Sequence, residues 1–323
     1  MKCLAILLAI LWGAVAVPAV ADDEVCTARS VRVLVGFPPG GATDFLVRLI
    51  VPALSASLHH PFVVENHPGA AGNIATDIAE KARPDGCTLL AVSAAFASNV
   101  YLYSNSRYDP LINFTPVARI AAVHNVLVVH PLLPVRTVAE LVDYAKARPG
   151  QLAFGNAGNG STSHLAMELL RTRVGGFNVL EVPYRGMGLV VLDLLAGEVD
   201  AAVATVPTVV PHIRNGTLRA LAVASVKRIE SLPEVPTFGE SGFPRFEVAA
   251  WNGIVAPAGV SYDKVVRLNL AIASTVRLQE VKERFATQGA EAIGDTPDEF
   301  RSYIRSEMAK WERVVRATGV RLE

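Results

Sequence analysis

Apolar residues recur along this chain in two alternating rhythms. Short runs of aliphatic and β-branched residues give way to longer stretches in which apolar positions return every three or four residues. The first run, 31–35 (VRVLV), reads as a buried strand and stops at Phe37-Pro38-Pro39-Gly40-Gly41, where each proline lacks a ladder N–H. Thr43 can then N-cap a helix, and Asp44 suits its first turn. Phe45, Leu46, Leu49, Ile50, Ala53, Leu54 and Leu58 form one apolar stripe, which Pro52 should kink or split. A short strand over 61–65, a turn-rich loop over 66–72, a helix over 73–83 and a strand over 88–92 follow. Strand, helix, strand, helix, strand at such intervals predicts a parallel, doubly wound sheet. In such sheets ligands lie beyond the C-terminal strand ends, which places Ser93 and Ala94 beside the first loop.

The opening pattern then returns. After strand-like runs at 114–122 and 125–130, a helix over 138–147 and a strand over 152–154 comes Gly155-Asn156-Ala157-Gly158-Asn159-Gly160-Ser161-Thr162-Ser163. A helix carrying Leu165, Met167, Leu169 and Leu170 follows. Each strand, glycine-rich loop and hydroxyl-rich helix start ends in unpaired backbone N–H groups suited to an anion. Two such ends facing one cleft could hold one small anion between them. Further strands are expected at 179–182, leading into Tyr184, at 200–204, leading into Thr205, and at 218–225. The long runs 114–130 and 246–256 read as crossings between two α/β units, and Thr296-Pro297 starts a last helix over 297–318. That reading divides the chain into a first domain of 22–122 and 249–323 and a second of 123–248.

With 323 residues, half of them hydrophobic, two cores can be built. Thirty basic residues balance thirty acidic ones with no basic run, which argues against a nucleic-acid partner. Residues 1–21 read as a secretory signal, with Lys2, an apolar core over 3–17 and the ending Ala19-Val20-Ala21, so cleavage after Ala21 and a periplasmic location are expected. That core is shorter than a membrane span. Cys26 lacks the small residues that precede a lipidated cysteine, so no anchor is expected. Cys26 and Cys87 each precede a strand, and they are either a disulfide staple or two unrelated thiols.

The histidines are scattered, and neither they nor the cysteines have metal-ligand spacing. His164 could donate to a ligand or simply steady the first turn of its helix. Ser161 and Ser163 beside it leave a secreted serine hydrolase open, although the G-x-S-x-G elbow is absent. Glu181 stands where a ribose-binding acid would, but the glycines read G-x-x-G-x-G, the wrong order for a dinucleotide fold. Asp44 and Arg185 are the charged residues nearest the cleft. The first suits a helix dipole, and the second is either a carboxylate partner or a solvated surface group.

Six blocks in order resemble the solute-binding proteins of tripartite tricarboxylate transporters, the Bug family. They are FPPGGATD (37–44), ENHPGAAGN (65–73), PDGCTLL (84–90), GNAGNGSTSHLAMELL (155–170), VPYRG (182–186) and LPEVPTFGESGFPRFEV (232–248). The resemblance implies a two-domain periplasmic-binding-protein (Venus flytrap) fold, each domain a mostly parallel α/β sheet flanked by helices, joined by two crossover strands. It implies a monomer without cofactor or catalytic residues that closes on a small organic carboxylate or acidic amino acid and delivers it to a two-subunit membrane permease. A sensor component presenting its ligand to a membrane receptor is the alternative. By position, the family's ligand-binding residues fall here on Phe37, Gly40, Gly41, Ala42, Thr43, Ser93 and Ala94 of the first domain. On the second they fall on Asn156, Ala157, Gly158, Ser161, Thr162, Ser163, His164, Tyr184 and Thr205. Cys87 and Pro52 depart from the family pattern.

Overall fold

The computed structural model describes residues 25–321, apart from positions 105, 159, 160, 185 and 288. The leader and its cleavage point, and Arg185, lie outside the described residues.

The first unit opens with β1 (Val31–Val35), α1 (Ala42–Ser57), β2 (Phe62–Asn66), α2 (Asn73–Glu80), β3 (Thr88–Ser93) and α3 (Ala95–Leu102). β1 runs parallel to both β2 and β3, as the alternation of strand and helix requires. Pro52 neither splits nor ends α1, which is one helix. Its ring is on the exposed face, where the carbonyl left without an N–H partner can be hydrated. The helix N-cap is Gly41 and not Thr43, which lies inside the first turn.

β4 (Phe114–Val129) joins the two expected runs into one strand. The second unit holds α4 (Val138–Ala147), β5 (Ala153–Asn156), α5 (Thr162–Arg173), β6 (Leu180–Pro183), α6 (Met187–Ala196), β7 (Ala201–Thr205), α7 (Val206–Arg214) and β8 (Arg219–Val223). β9 (Ala249–Pro257), α8 (Tyr262–Val276), α9 (Gln279–Thr287), the two-residue β10 (Glu291–Ala292) and α10 (Pro297–Thr318) complete the chain. Strand order is β2-β1-β3-β9-β4-β7-β5-β6, with β8 and β10 also paired to β4.

β4 ties the units together. Its first part, through His124, pairs antiparallel with β9, and from Asn125 onward it pairs with β7 and β8. The Asn125 side chain, buried at this changeover, donates to the Val248 carbonyl at 2.9 Å. Each unit buries apolar side chains on both faces of its sheet. α10 belongs to both cores: Phe300 and Ile304 pack with the first unit, while Trp311, Val314 and Val315 pack with the second. A capping box of Thr296 and Glu299 fixes its start. Cys26 and Cys87 are bonded, S–S 1.99 Å, inside the first unit's core.

Candidate functional site

A cavity of about 460 Å³ opens where the loops of the two units meet. From the first unit it is lined by Phe37, Gly41, Ala42, Thr43, Ser93 and Ala94, and from the second by Ser161, Thr162 and Leu165. Two helix starts thus reach one space. The Gly41 N–H turns back to the Pro38 carbonyl, but Ala42 and Thr43 at the head of α1 have no acceptor among the described residues. At the head of α5 the Ser161 hydroxyl takes the His164 N–H at 3.3 Å, and the N–H groups of Thr162 and Ser163 are left over. Among the described residues no Lys, Arg, His, Asp or Glu side chain lines the cavity.

The first loop is held from behind. Asp44, 2% exposed, accepts from the Gly40 N–H at 2.9 Å, from Asn66 at 2.8 Å and from Arg48 at 2.9 Å. Burial opposes its ionisation, yet these hydrogen bonds outweigh burial and hold the carboxyl below its usual range. A Cβ on Gly36 would stand 2.6 Å from the Gly72 Cα, so the turn 69–72 can pass the end of β1 only because position 36 is glycine, while Gly72 is required by its own φ of +98°. That turn brings Ala71 to the cavity wall.

Ala95, Ser98 and Asn99 of α3 follow Ser93 onto the wall. Other contributors were hidden from the linear reading: Tyr103 just past α3, Ala250, Trp251 and Asn252 from β9, and Trp311 from α10. The Thr43 hydroxyl, expected at the ligand, donates to Asn252 Oδ1 at 2.7 Å. This leaves the Asn252 amide nitrogen without an acceptor among the described residues, on a side chain that lines the cavity. A lone polar residue inside the apolar run 248–256 is the signal that could have found it. Trp251 and Trp311 both donate their indole N–H to the Glu307 carboxylate, each at 3.2 Å, and Lys310 pairs with the same carboxylate.

The remaining expected residues stand off the cavity wall. Gly40 points its N–H at Asp44, and the Asn156 side chain closes a turn onto the Gly158 N–H at 2.9 Å. The Ala157 N–H is taken by Ser163 Oγ at 2.9 Å, Tyr184 donates to Asp193 at 2.6 Å, and Thr205 caps α7. His164, 4% exposed, turns its ring toward Glu181, Nε2 to Oε2 3.5 Å. It sits with the buried Glu168 and the half-buried Glu181, the ligand atoms of the three within 4.8 Å of one another. Arg171 donates to both carboxylates, at 2.7 and 2.9 Å, and supplies the positive charge a cation would bring. Burial raises the Glu168 pKa, while a hydrogen bond from His164 lowers that of Glu181. Ser161 and Ser163 hydrogen-bond to each other at 2.9 Å, and among the described residues neither bonds to the His164 ring, so no activated nucleophile is assembled.

Residues 46–320 match the model of the tripartite tricarboxylate transporter family receptor. The chain belongs to that family. It is 40% identical to protein BugT of Bordetella pertussis over 311 residues, 96% of this chain and 94% of that one. The Rhodopseudomonas palustris protein Rpa4515, solved with adipate, is 36% identical with a TM-score of 0.72, covering 91% of this chain and 98% of its own. A TctC solute-binding protein from Polaromonas, solved with no ligand, is 26% identical with a TM-score of 0.81, covering 90% and 99%. A receptor of this family binds a solute and is not an enzyme. The two-domain flytrap fold of these receptors frames the cavity at which the paired helix starts meet.

Proposed function

We propose that this receptor captures a small organic carboxylate in the cavity between its domains, closes on it, and delivers it from the periplasm to a two-subunit membrane permease. One observation carries the reading: the free N–H groups of Ala42 and Thr43 and those of Thr162 and Ser163 serve one cavity whose described wall has no charged side chain. Oriented backbone donors at helix starts favour an anion and match carboxylate oxygens. The relative Rpa4515 was solved with adipate, a carboxylate.

Closure is supported by the better superposition on the ligand-free Polaromonas protein than on the adipate complex, despite lower identity, 26% against 36%. The changeover on β4 at His124 and Asn125 and the start of β9 at Ala249 are the natural hinges, consistent with domains of 22–122 with 249–323 and 123–248. Rotation there would carry Asn156, Ala157, Gly158, Tyr184 and Thr205 toward the ligand from the second domain. Export follows from the leader, with cleavage after Ala21, which the N-terminal residue of the exported protein checks.

The test is thermal unfolding of the protein from Asp22 onward, freed of co-purified ligand, against a carboxylate panel. At a hundredfold excess over Kd, binding should add about 2.7 kcal/mol and raise the midpoint by several degrees. X-ray scattering of the responding pair should show a smaller radius of gyration. A midpoint unmoved across a broad panel removes the carboxylate reading, and an unchanged radius removes closure.

A further inference from the structure

We infer that Asn252 is a ligand-binding residue of the first domain, its amide N–H taking an oxygen of the bound carboxylate, and that the Thr43 hydroxyl is the positioning group that sets this amide and not itself a ligand contact. This rests on the carboxylate reading above and adds a side chain to its backbone donors. Asn252 stands inside β9, where its main chain is paired on both sides, with Ser93 of β3 and Ala121 of β4 opposite it. The sheet therefore has no use for an amide between Trp251 and Gly253 in an otherwise apolar strand.

A buried amide costs free energy unless its polar atoms are paired. Asn125 and Asn269, buried away from the cavity, give their nitrogens to carbonyls at 2.9 and 2.8 Å. Asn99, on the cavity wall, gives its own to Ala71 O and Asn73 Oδ1. Asn252, 6% exposed, has its oxygen taken by the Thr43 hydroxyl at 2.7 Å, while its nitrogen borders the cavity with no acceptor among the described residues. Thr43 fixes which end of the amide faces forward. Its hydroxyl is itself buried, and turning the amide over would strip the hydroxyl proton of its acceptor. With the oxygen held from behind, Asn252 can only donate into the cavity, which suits an anion. Ser93, directly across the strand pair and on the same face of the sheet, lines the cavity with a hydroxyl that makes no bond among the described residues. The first domain thus offers adjacent side-chain donors to one carboxylate.

Calorimetric titration of the protein from residue 22 onward, freed of ligand, tests this. Adipate, malate, aspartate, citrate and benzoate are the probes, and the tightest of them is carried through the variants. Intrinsic emission of the ligand-free protein, from Trp251 beside Asn252 and from Trp311, reports that each variant is folded. Asn252→Ala should weaken binding about tenfold or more, because a hydrogen bond to a charged group is lost. Asn252→Asp, of nearly the same shape, should weaken it about tenfold further by setting carboxylate against carboxylate. Thr43→Val should cost about fivefold and Thr43→Ser should restore the affinity, whereas Thr43→Val should add nothing in the Asn252→Ala background. Asn252→Ala binding as tightly as the natural protein, or Asn252→Asp binding more tightly than Asn252→Ala, would overturn the assignment and leave the carboxylate reading intact. An undiminished loss from Thr43→Val in the Asn252→Ala background would put the Thr43 hydroxyl on the ligand and refute its positioning role. No acid of the set binding the natural protein would bring down the carboxylate reading, and this assignment with it.

Discussion

Replacing Glu307 with alanine removes a carboxylate that is 2% exposed and takes three donors: the indoles of Trp251 and Trp311 on Oε2, and Lys310 on Oε1. Each indole N–H left buried without an acceptor costs about 1–3 kcal/mol. Removing one partner of a buried ion pair costs about 3–5 kcal/mol. These losses overlap, because all three donors share one carboxylate, and about 5 kcal/mol is expected for Glu307→Ala. Glutamine separates the parts: its carbonyl can still take both indoles where Oε2 stands, but its amide faces Lys310, and about 2 kcal/mol is expected. Lys310 itself keeps the Glu247 carbonyl as a partner at 2.7 Å. Urea unfolding followed by tryptophan emission measures both variants, and the emission of the folded alanine variant should also change because the indoles lose their acceptor. Glu307→Ala within about 1 kcal/mol of the natural protein, or glutamine as harmful as alanine, would refute this account of how the two rings are held.

Other parts of the structure give three further expectations. The disulfide between Cys26 and Cys87 closes a sequence separation of 61, so Cys26→Ser with Cys87→Ser should cost about 4 kcal/mol on the chain-entropy argument, and equal urea midpoints for oxidised and reduced protein would exclude that contribution. Thr43→Val deprives Asn252 Oδ1 of its donor and should weaken carboxylate binding by about 1 kcal/mol, with a comparable coupling to Asn252→Ala in a double-mutant cycle; strictly additive losses would separate the two residues. The depressed Asp44 carboxyl means that the unfolded chain takes up a proton there before the folded one does. Its stabilisation is therefore full above the unfolded value of about 4 and lost as pH falls through the folded value. Asp44→Asn should flatten the fall in stability across that acid window, and an unchanged pH profile would remove Asp44 from it.

The sequence by itself determined the elements and the chemistry of the two helix starts. Proline and glycine end β1 where a ladder needs N–H groups, a hydroxyl-rich stretch opens α5, and the periodic stripe of α1 marks its buried face. These are local matters of backbone valence and spacing, and the linear chain carries them. Local signals also misled. Pro52 looked like a break, but one missing hydrogen bond on an exposed face does not outweigh the packing of α1; Thr43 looked like a cap, but Gly41 occupies that place.

The site wall was decided by tertiary structure. Thr43 meets Asn252 across 209 positions, and Trp251 meets Glu307 across 56, pairings that no spacing encodes. His164 has the same neighbours in sequence whether it faces a ligand or a core. Only the arrival of Glu181 on β6, with Arg171 beside it, turns it inward. α10 likewise reads as one amphipathic helix, yet its two ends enter different cores because the helix is long enough to cross from one sheet to the other. The two helix starts are built from consecutive residues and could be read in order. The apolar wall beside them comes from α3, β9 and α10, and exists only once they are packed together.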